Sequence, residues 1–192
     1  MGHPNHHPIR TPNERCYRIL AMPSRLTRYQ KDGHYHAINF TCYRQQSWLE
    51  DKHSCIVFEE TLEALRKRHN FYLFGYVIMP NHVHLLLSEP AQHTLATTIS
   101  VLKGETSKLL KGDRPQFWQT RYFDFNVFTQ KKFVEKLRYI HRNPIKEGLV
   151  EKPEDWPWSS FGHYLTGDIG RVEVESEWTW NRRELASPHP SA

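Results

Sequence analysis

The sequence predicts an α+β fold: a four-stranded antiparallel sheet in the order β-α-β-β-α-β, with one further helix behind it. Three observations carry the prediction. Short runs of β-branched and aromatic residues alternate with segments whose apolar residues recur at helical spacing. Two strand-like runs meet at Pro80-Asn81, a tight connection suited to a hairpin. No internal repeat interrupts the order.

The elements follow in turn. YHAINFTCY, residues 35–43, reads as a first strand. From Lys52 to Arg68, Val57, Phe58, Leu62 and Leu65 trace a helical stripe. FYLFGYVIM (71–79) and HVHLLLS (82–88) are the second and third strands. Leu95, Ile99, Leu102 and Leu109 mark a second helix between Thr94 and Leu110, and FWQTRYFDFNVF (117–128) reads as a fourth strand. Phe133, Leu137 and Ile140 share one face of a third helix, which is expected to end near Asn143 because Pro144 disfavours α geometry before it. The first six elements match a ferredoxin-like split βαβ, with helices on one sheet face and the other left free for a site. Around this domain, residues 33–150, lie a basic N-terminal arm (1–32) and an acidic, aromatic extension (151–192).

Charge narrows the function classes. Of 192 residues, 101–150 carry eleven Lys and Arg against five Asp and Glu, while 151–192 carry four against eight. A concentrated basic region suggests a polyanionic partner, nucleic acid first. The plain alternative is a solvated basic face. No apolar run approaches the ~18 residues of a membrane span. Three irregularly spaced cysteines, Cys16, Cys42 and Cys55, suggest reduced thiols and a cytoplasmic setting.

The chemistry concentrates in two segments. In MPNHVHLLL, strand alternation puts His82 and His84 on one face. They could be two metal ligands or two half-exposed imidazoles. On the third helix, at ~100° per residue, Tyr139 falls roughly 140° from the centre of the apolar stripe, and Asn143 follows it by one turn. Phosphodiester cleavage needs a nucleophile, charge neutralisation and positioning. Tyr139 can be the nucleophile. His82, His84 and an Asn143 oxygen can hold a divalent cation. Arg138 and Arg142, with Lys131, Lys132 and Lys136, can hold flanking phosphates. Trp118 and Arg121 are further DNA-binding candidates in the same basic quarter, Trp118 by stacking.

The ordered set MPNHVHLLL, FWQTRYFDF, EKLRYIHRNPIKEGLV and PEDWPWSSF resembles the REP-associated tyrosine transposases, within the single-tyrosine branch of the His-hydrophobic-His (HUH) endonucleases. The likeness runs from about Tyr35 to Leu165. It implies Tyr139 as nucleophile, His82 and His84 as ligands, and Asn143 in the place of the carboxamide that completes the metal site. It also implies Mg²⁺ or Mn²⁺ as cofactor, single-stranded or hairpin DNA as partner, and a 5′-phosphotyrosine intermediate with a free 3′-OH. A monomer is implied, with a homodimer as the alternative. Where the family pattern has a histidine after the aspartate, this chain has Phe125 after Asp124. Two rival readings are a non-catalytic hairpin-binding relative and a hydrolase that uses metal-bound water.

Overall fold

A computed structural model describes residues 35–186. The N-terminal arm, with Cys16, lies outside the described residues. Four strands form one antiparallel sheet in the spatial order β2-β3-β1-β4: β1 is Tyr35–Thr41, β2 Leu73–Ile78, β3 His82–Ser88 and β4 Phe123–Val127. Helices α1 (Lys52–His69) and α2 (Leu95–Leu110) are the crossovers, as the split βαβ order predicts. Each opens on a side-chain cap, Asp51 accepting from Ser54 N and Thr94 from Thr97 N.

Pairing register decides which side chains share a face. Phe40 meets Phe58 of α1, so the even-numbered residues of β1 face the two crossover helices. Asn39 lies directly opposite His84, so the odd-numbered residues of β1 share the other face with His82 and His84. That second face is not left free. Helix α3 (Gln130–Lys146) lies across it, over β2 and β3. Tyr35, Phe74 and Phe133 form an edge-to-face trio beneath its start. An irregularity in the β2–β3 pairing between Leu73 and Gly75 puts Phe74 and Gly75 on the same side.

Helix α3 also runs past its expected end. Pro144 stands inside it, in the last turn, where its missing N–H removes one hydrogen bond. The end is closed instead by Gly148 at φ 71°, with Gly148 N donating to Ile145 O and Leu149 N to Pro144 O. This is the Schellman pattern, and it satisfies the terminal carbonyls.

The fourth strand is shorter than the run 117–128. Phe117 and Trp118 fall outside it, Trp118 keeping an isolated bridge to Cys42. Trp118 is 4 % exposed, packs on Phe40 and Phe58, and donates from Nε1 to Thr106 Oγ1 at 2.9 Å. It is therefore a core residue, unavailable for stacking on a base. Its apolar area and its one donor are both satisfied inside the protein.

The segment after 150 seals the outer edge of β2. Ile78 N donates to Trp158 O, Ser160 N to Tyr76 O and Glu175 N to Leu73 O. Trp156 Nε1 and Tyr164 Oη donate to the carbonyls of Ile78 and Phe74. A covered edge strand cannot pair with another chain, and every residue of β2 is buried. Two short helices follow, α4 (Phe161–Thr166) and α5 (Glu177–Ala186). Among the described residues, no helix is long and apolar enough to cross a membrane. Cys42 and Cys55 are buried free thiols.

Candidate active site

The central strands and α3 bring three of the predicted residues together. The rings of His82 and His84 stand 4.9 Å apart, nearly perpendicular. The ring of Tyr139 stands 5.4 Å from that of His84, again perpendicular. Tyr139 is 44 % exposed, so its ring rests on the sheet while substrate can reach it. Asn143, one turn on, is only 1 % exposed, although its spacing puts it off the apolar stripe. It lies on the flank of the stripe that turns toward the sheet. Neither amide atom of Asn143 has a hydrogen-bond partner, and His84 Nε2 has none either.

Electrostatics keep the imidazoles neutral. Burial pushes the His84 pKa down to about 3, helped by the charge of His82 and by the ammonium groups of Lys136 and Lys146. Burial also lowers that of His82, opposed by the Glu147 carboxylate. Asn81 Oδ1 lies 2.6 Å from His82 Nδ1. With Nδ1 donating to Asn81, the lone pair falls on Nε2, the ligating tautomer. Neutral imidazole and a carboxamide oxygen are the forms that bind a divalent ion. His84 Nε2 and the Asn143 amide, buried and without partners, are atoms of the kind a cation could use. Among the described residues, no group of three or more His, Cys, Asp or Glu is set to hold a metal ion. A cation here would draw its further protein ligands from neutral side-chain oxygens.

Around Tyr139 the cations divide into two groups. Arg138 and Arg142 line a surface groove with Tyr139, Ile145, Glu135 and Lys146. Lys136 lines a separate pocket with Asn39, His84 and Tyr139, its ammonium 4.3 Å above the Phe125 ring. Phe125 thus holds a lysine beside the site. Lys131, Lys132 and Arg121 are exposed. Lys132 pairs with Glu135, and none of the three lines either pocket. Asp124 points to the opposite face of the sheet from His84. It accepts from His36 Nδ1 at 2.9 Å.

Three residues of the site escape a reading of motifs. Lys146 Nζ stands 5.3 Å from the Tyr139 ring centre, two turns along the same helix face. Asn81 orients His82, and Asn39 sits opposite His84. Helical spacing from Tyr139 would have found Lys146 had α3 been carried past Pro144.

Comparison with known proteins gives the family and the fold. The profile described as "Transposase IS200 like" matches residues 29–143. A Haemophilus influenzae protein assigned by name to the REP-associated tyrosine transposases is 29 % identical over 139 residues, covering 66 % of this chain and 78 % of the relative. The REP-associated tyrosine transposase of Escherichia coli is 24 % identical over 109 residues, 56 % of this chain and 62 % of its own length. A solved structure of a REP-associated tyrosine transposase bound to a REP hairpin shares the fold, with a TM-score of 0.62 at 17 % identity over 74 % of this chain and 86 % of that one. The chain belongs to the IS200-like transposase family, with REP-associated tyrosine transposases among its relatives.

Proposed function

We propose that this transposase cuts and rejoins single-stranded DNA beside hairpins, through a covalent link to Tyr139 and with a divalent cation. The observation that carries the reading is the half-exposed Tyr139 ring set against His84, next to buried ligand atoms that have no partner. His82, His84 and the Asn143 carboxamide would hold Mg²⁺ or Mn²⁺, which polarises the scissile phosphate when bound.

The remaining steps belong to the chain. Tyr139 Oη attacks phosphorus as its proton leaves. The P–O3′ bond breaks, and the 3′ oxygen takes up a proton. The products are a 5′-phosphotyrosine and a free 3′-OH. The new ester keeps the bond energy, so attack by a 3′-OH reverses the step without ATP. Lys146 and Lys136 supply positive charge beside the reacting groups. Arg138 and Arg142 hold flanking phosphates from the groove at Tyr139. Hairpin DNA as substrate draws support from the relative solved with a REP hairpin. Residues 33–150 carry the chemistry, and the segment from 151 braces β2.

The test is an adduct assay. The protein, with Mg²⁺ or Mn²⁺, is incubated with labelled single-stranded oligonucleotides that contain palindromes from beside its gene, and the products run on denaturing gels. A metal-dependent protein–DNA species, absent in Tyr139→Phe, is expected. Tight hairpin binding without cleavage would favour a non-catalytic binder. Cleavage that survives in Tyr139→Phe would favour attack by water.

A further inference from the structure

We infer that Asn39 is a further oxygen donor to the cation held by His82, His84 and Asn143, an inference that rests on the metal-dependent reading above. Asn39 sits in the middle of β1, directly opposite His84 on β3 and Phe123 on β4. Directly paired residues bring their Cβ atoms to about 4.5–5.5 Å, so its carboxamide stands beside the His84 imidazole on the same face. It lines the pocket that also contains His84, Lys136 and Tyr139. Asn39 Oδ1 is buried and has no hydrogen-bond partner.

Three features make that oxygen a donor rather than a strand residue chosen for packing. Asparagine is disfavoured in strands, and an apolar residue would fill this position without loss. A buried acceptor without a donor is destabilising, so its presence is accounted for by something that binds it. His84, directly opposite Asn39 and in the same pocket, also has a buried atom without a partner, Nε2, while other such atoms, Tyr35 Oη and Glu175 Oε1 among them, lie elsewhere in the protein. Chemistry supplies the choice of ligand. Mg²⁺ and Mn²⁺ prefer oxygen, and two imidazoles with one carboxamide make a nitrogen-rich set. A second carboxamide oxygen gives two nitrogens and two oxygens, without an added charge that would need its own partner. Neither the alternation of β3 nor the phase of α3 points to Asn39. It is found only through the register of β1 against β3.

The test is Mn²⁺ binding without DNA, followed by electron paramagnetic resonance of free Mn²⁺, on the unmutated protein, Asn39→Leu, Asn39→Asp and His84→Ala. Asn39→Leu, which keeps the size of the side chain, should weaken Mn²⁺ binding about tenfold or more, the range seen when supporting groups of metal sites are removed. Its metal-free melting temperature should stay level or rise, because a buried acceptor without a donor is gone. Asn39→Asp, which keeps the oxygen, should bind at least as tightly as the unmutated protein. A merely structural Asn39 would show the opposite pattern, lower melting temperature and unchanged affinity. Equal Mn²⁺ affinity in Asn39→Leu and the unmutated protein, with His84→Ala weakened, overturns this assignment alone. Failure of the unmutated protein to bind Mn²⁺ more tightly than His84→Ala overturns the metal site and this assignment with it.

Discussion

The ring of Tyr139 meets that of His84 edge to face at 5.4 Å, a contact between the third turn of α3 and the third residue of β3. Only the docking of α3 can fix it, and that docking depends on Gly75. A Cβ at Gly75 would run into Leu137 Cδ1 and come within 3.4 Å of Ser160 Oγ. Leu137 is fully buried, so it has little room to turn aside. Gly75→Ala should therefore cost about 1–3 kcal/mol, as overpacking usually does, and should lift Tyr139 from His84. Urea unfolding and single-turnover cleavage measure the two effects. Gly75→Ala combined with Leu137→Ala should be less damaging than the two separate losses added together, the sign of direct contact. Additive losses would mean that α3 does not rest on Gly75.

Acid should weaken the metal-free protein through its buried histidines. Burial holds both His84 and His141 near a pKa of about 3, His141 additionally facing His163. An unfolded histidine takes a proton near pH 6.5, and the folded one does not. The stability tied to each is complete above pH 6.5 and is lost as the pH falls from there toward 3, at about 1.4 kcal/mol per pH unit. His141→Gln removes one such group and can keep a bond to Ser160, which now meets His141 Nε2 at 2.8 Å. Between pH 6.5 and 5 its stability should fall less steeply than that of the unmutated protein by this amount. Parallel pH profiles in denaturant titrations would count against a neutral, buried His141.

The same neutrality bears on metal loading. Two ordinary imidazoles would be largely protonated at pH 5.5 and would release a cation. Here both are shifted toward the neutral form, His84 far more than His82. Mn²⁺ affinity should therefore drop less than tenfold between pH 7 and 5.5. A drop near a hundredfold, one factor of ten for each imidazole, would mean that both titrate as free histidines. Calorimetry at the two pH values decides it.

Much of this site was legible because its signals are local. The alternation of HVHLLL sets His82 and His84 on one face whatever the rest of the chain does. Helical phase likewise separates Tyr139 from Leu137 and Ile140. The four strands and two crossovers follow from periodicity and turns in the same way. What was hidden depends on long-range packing. Trp118 sits in a basic quarter beside Arg121, and composition does not distinguish a base-stacking platform from a core residue bonded to Thr106. Asn39 joins the site only through pairing of residues far apart in the chain. The burial of Asn143 reflects how α3 rolls on the sheet, which its own sequence does not specify. Pro144 misled for another reason. In a last turn closed by Gly148 the missing hydrogen bond is tolerated, and the two residues beyond it bring Lys146 to Tyr139.

Lys146 carries a prediction of its own. Its ammonium lies over the face of the Tyr139 ring, where it favours negative charge that develops on the attacking oxygen and the phosphate. Lys146→Met keeps the stem and removes the charge. Single-turnover cleavage should slow by about a hundredfold, the lower end of the range for loss of one electrostatic group, while hairpin affinity changes far less. Lys146→Arg should restore most of the rate. Unchanged cleavage in Lys146→Met would reduce this lysine to a phosphate contact.

Arg142 should behave in the opposite way, affecting binding more than chemistry. Its side chain is exposed and lines the groove that runs past Tyr139 between Arg138 and Lys146. A guanidinium there can take a phosphate on either side of the cut but has no base edge to read, so it should strengthen every sequence alike. Each phosphate contact releases counterions, so log affinity falls with log salt by about 0.7 per contact on single strands and 0.9 on duplex. Arg142→Gln should lower that slope by one such step and weaken hairpins and scrambled single strands by a similar factor. The cleavage rate at saturating DNA should hold, because the charge beside the phenol is that of Lys146. Fluorescence anisotropy across a salt series measures the slope. An unchanged slope would take Arg142 off the DNA path, and loss confined to one hairpin sequence would make it a reader of bases.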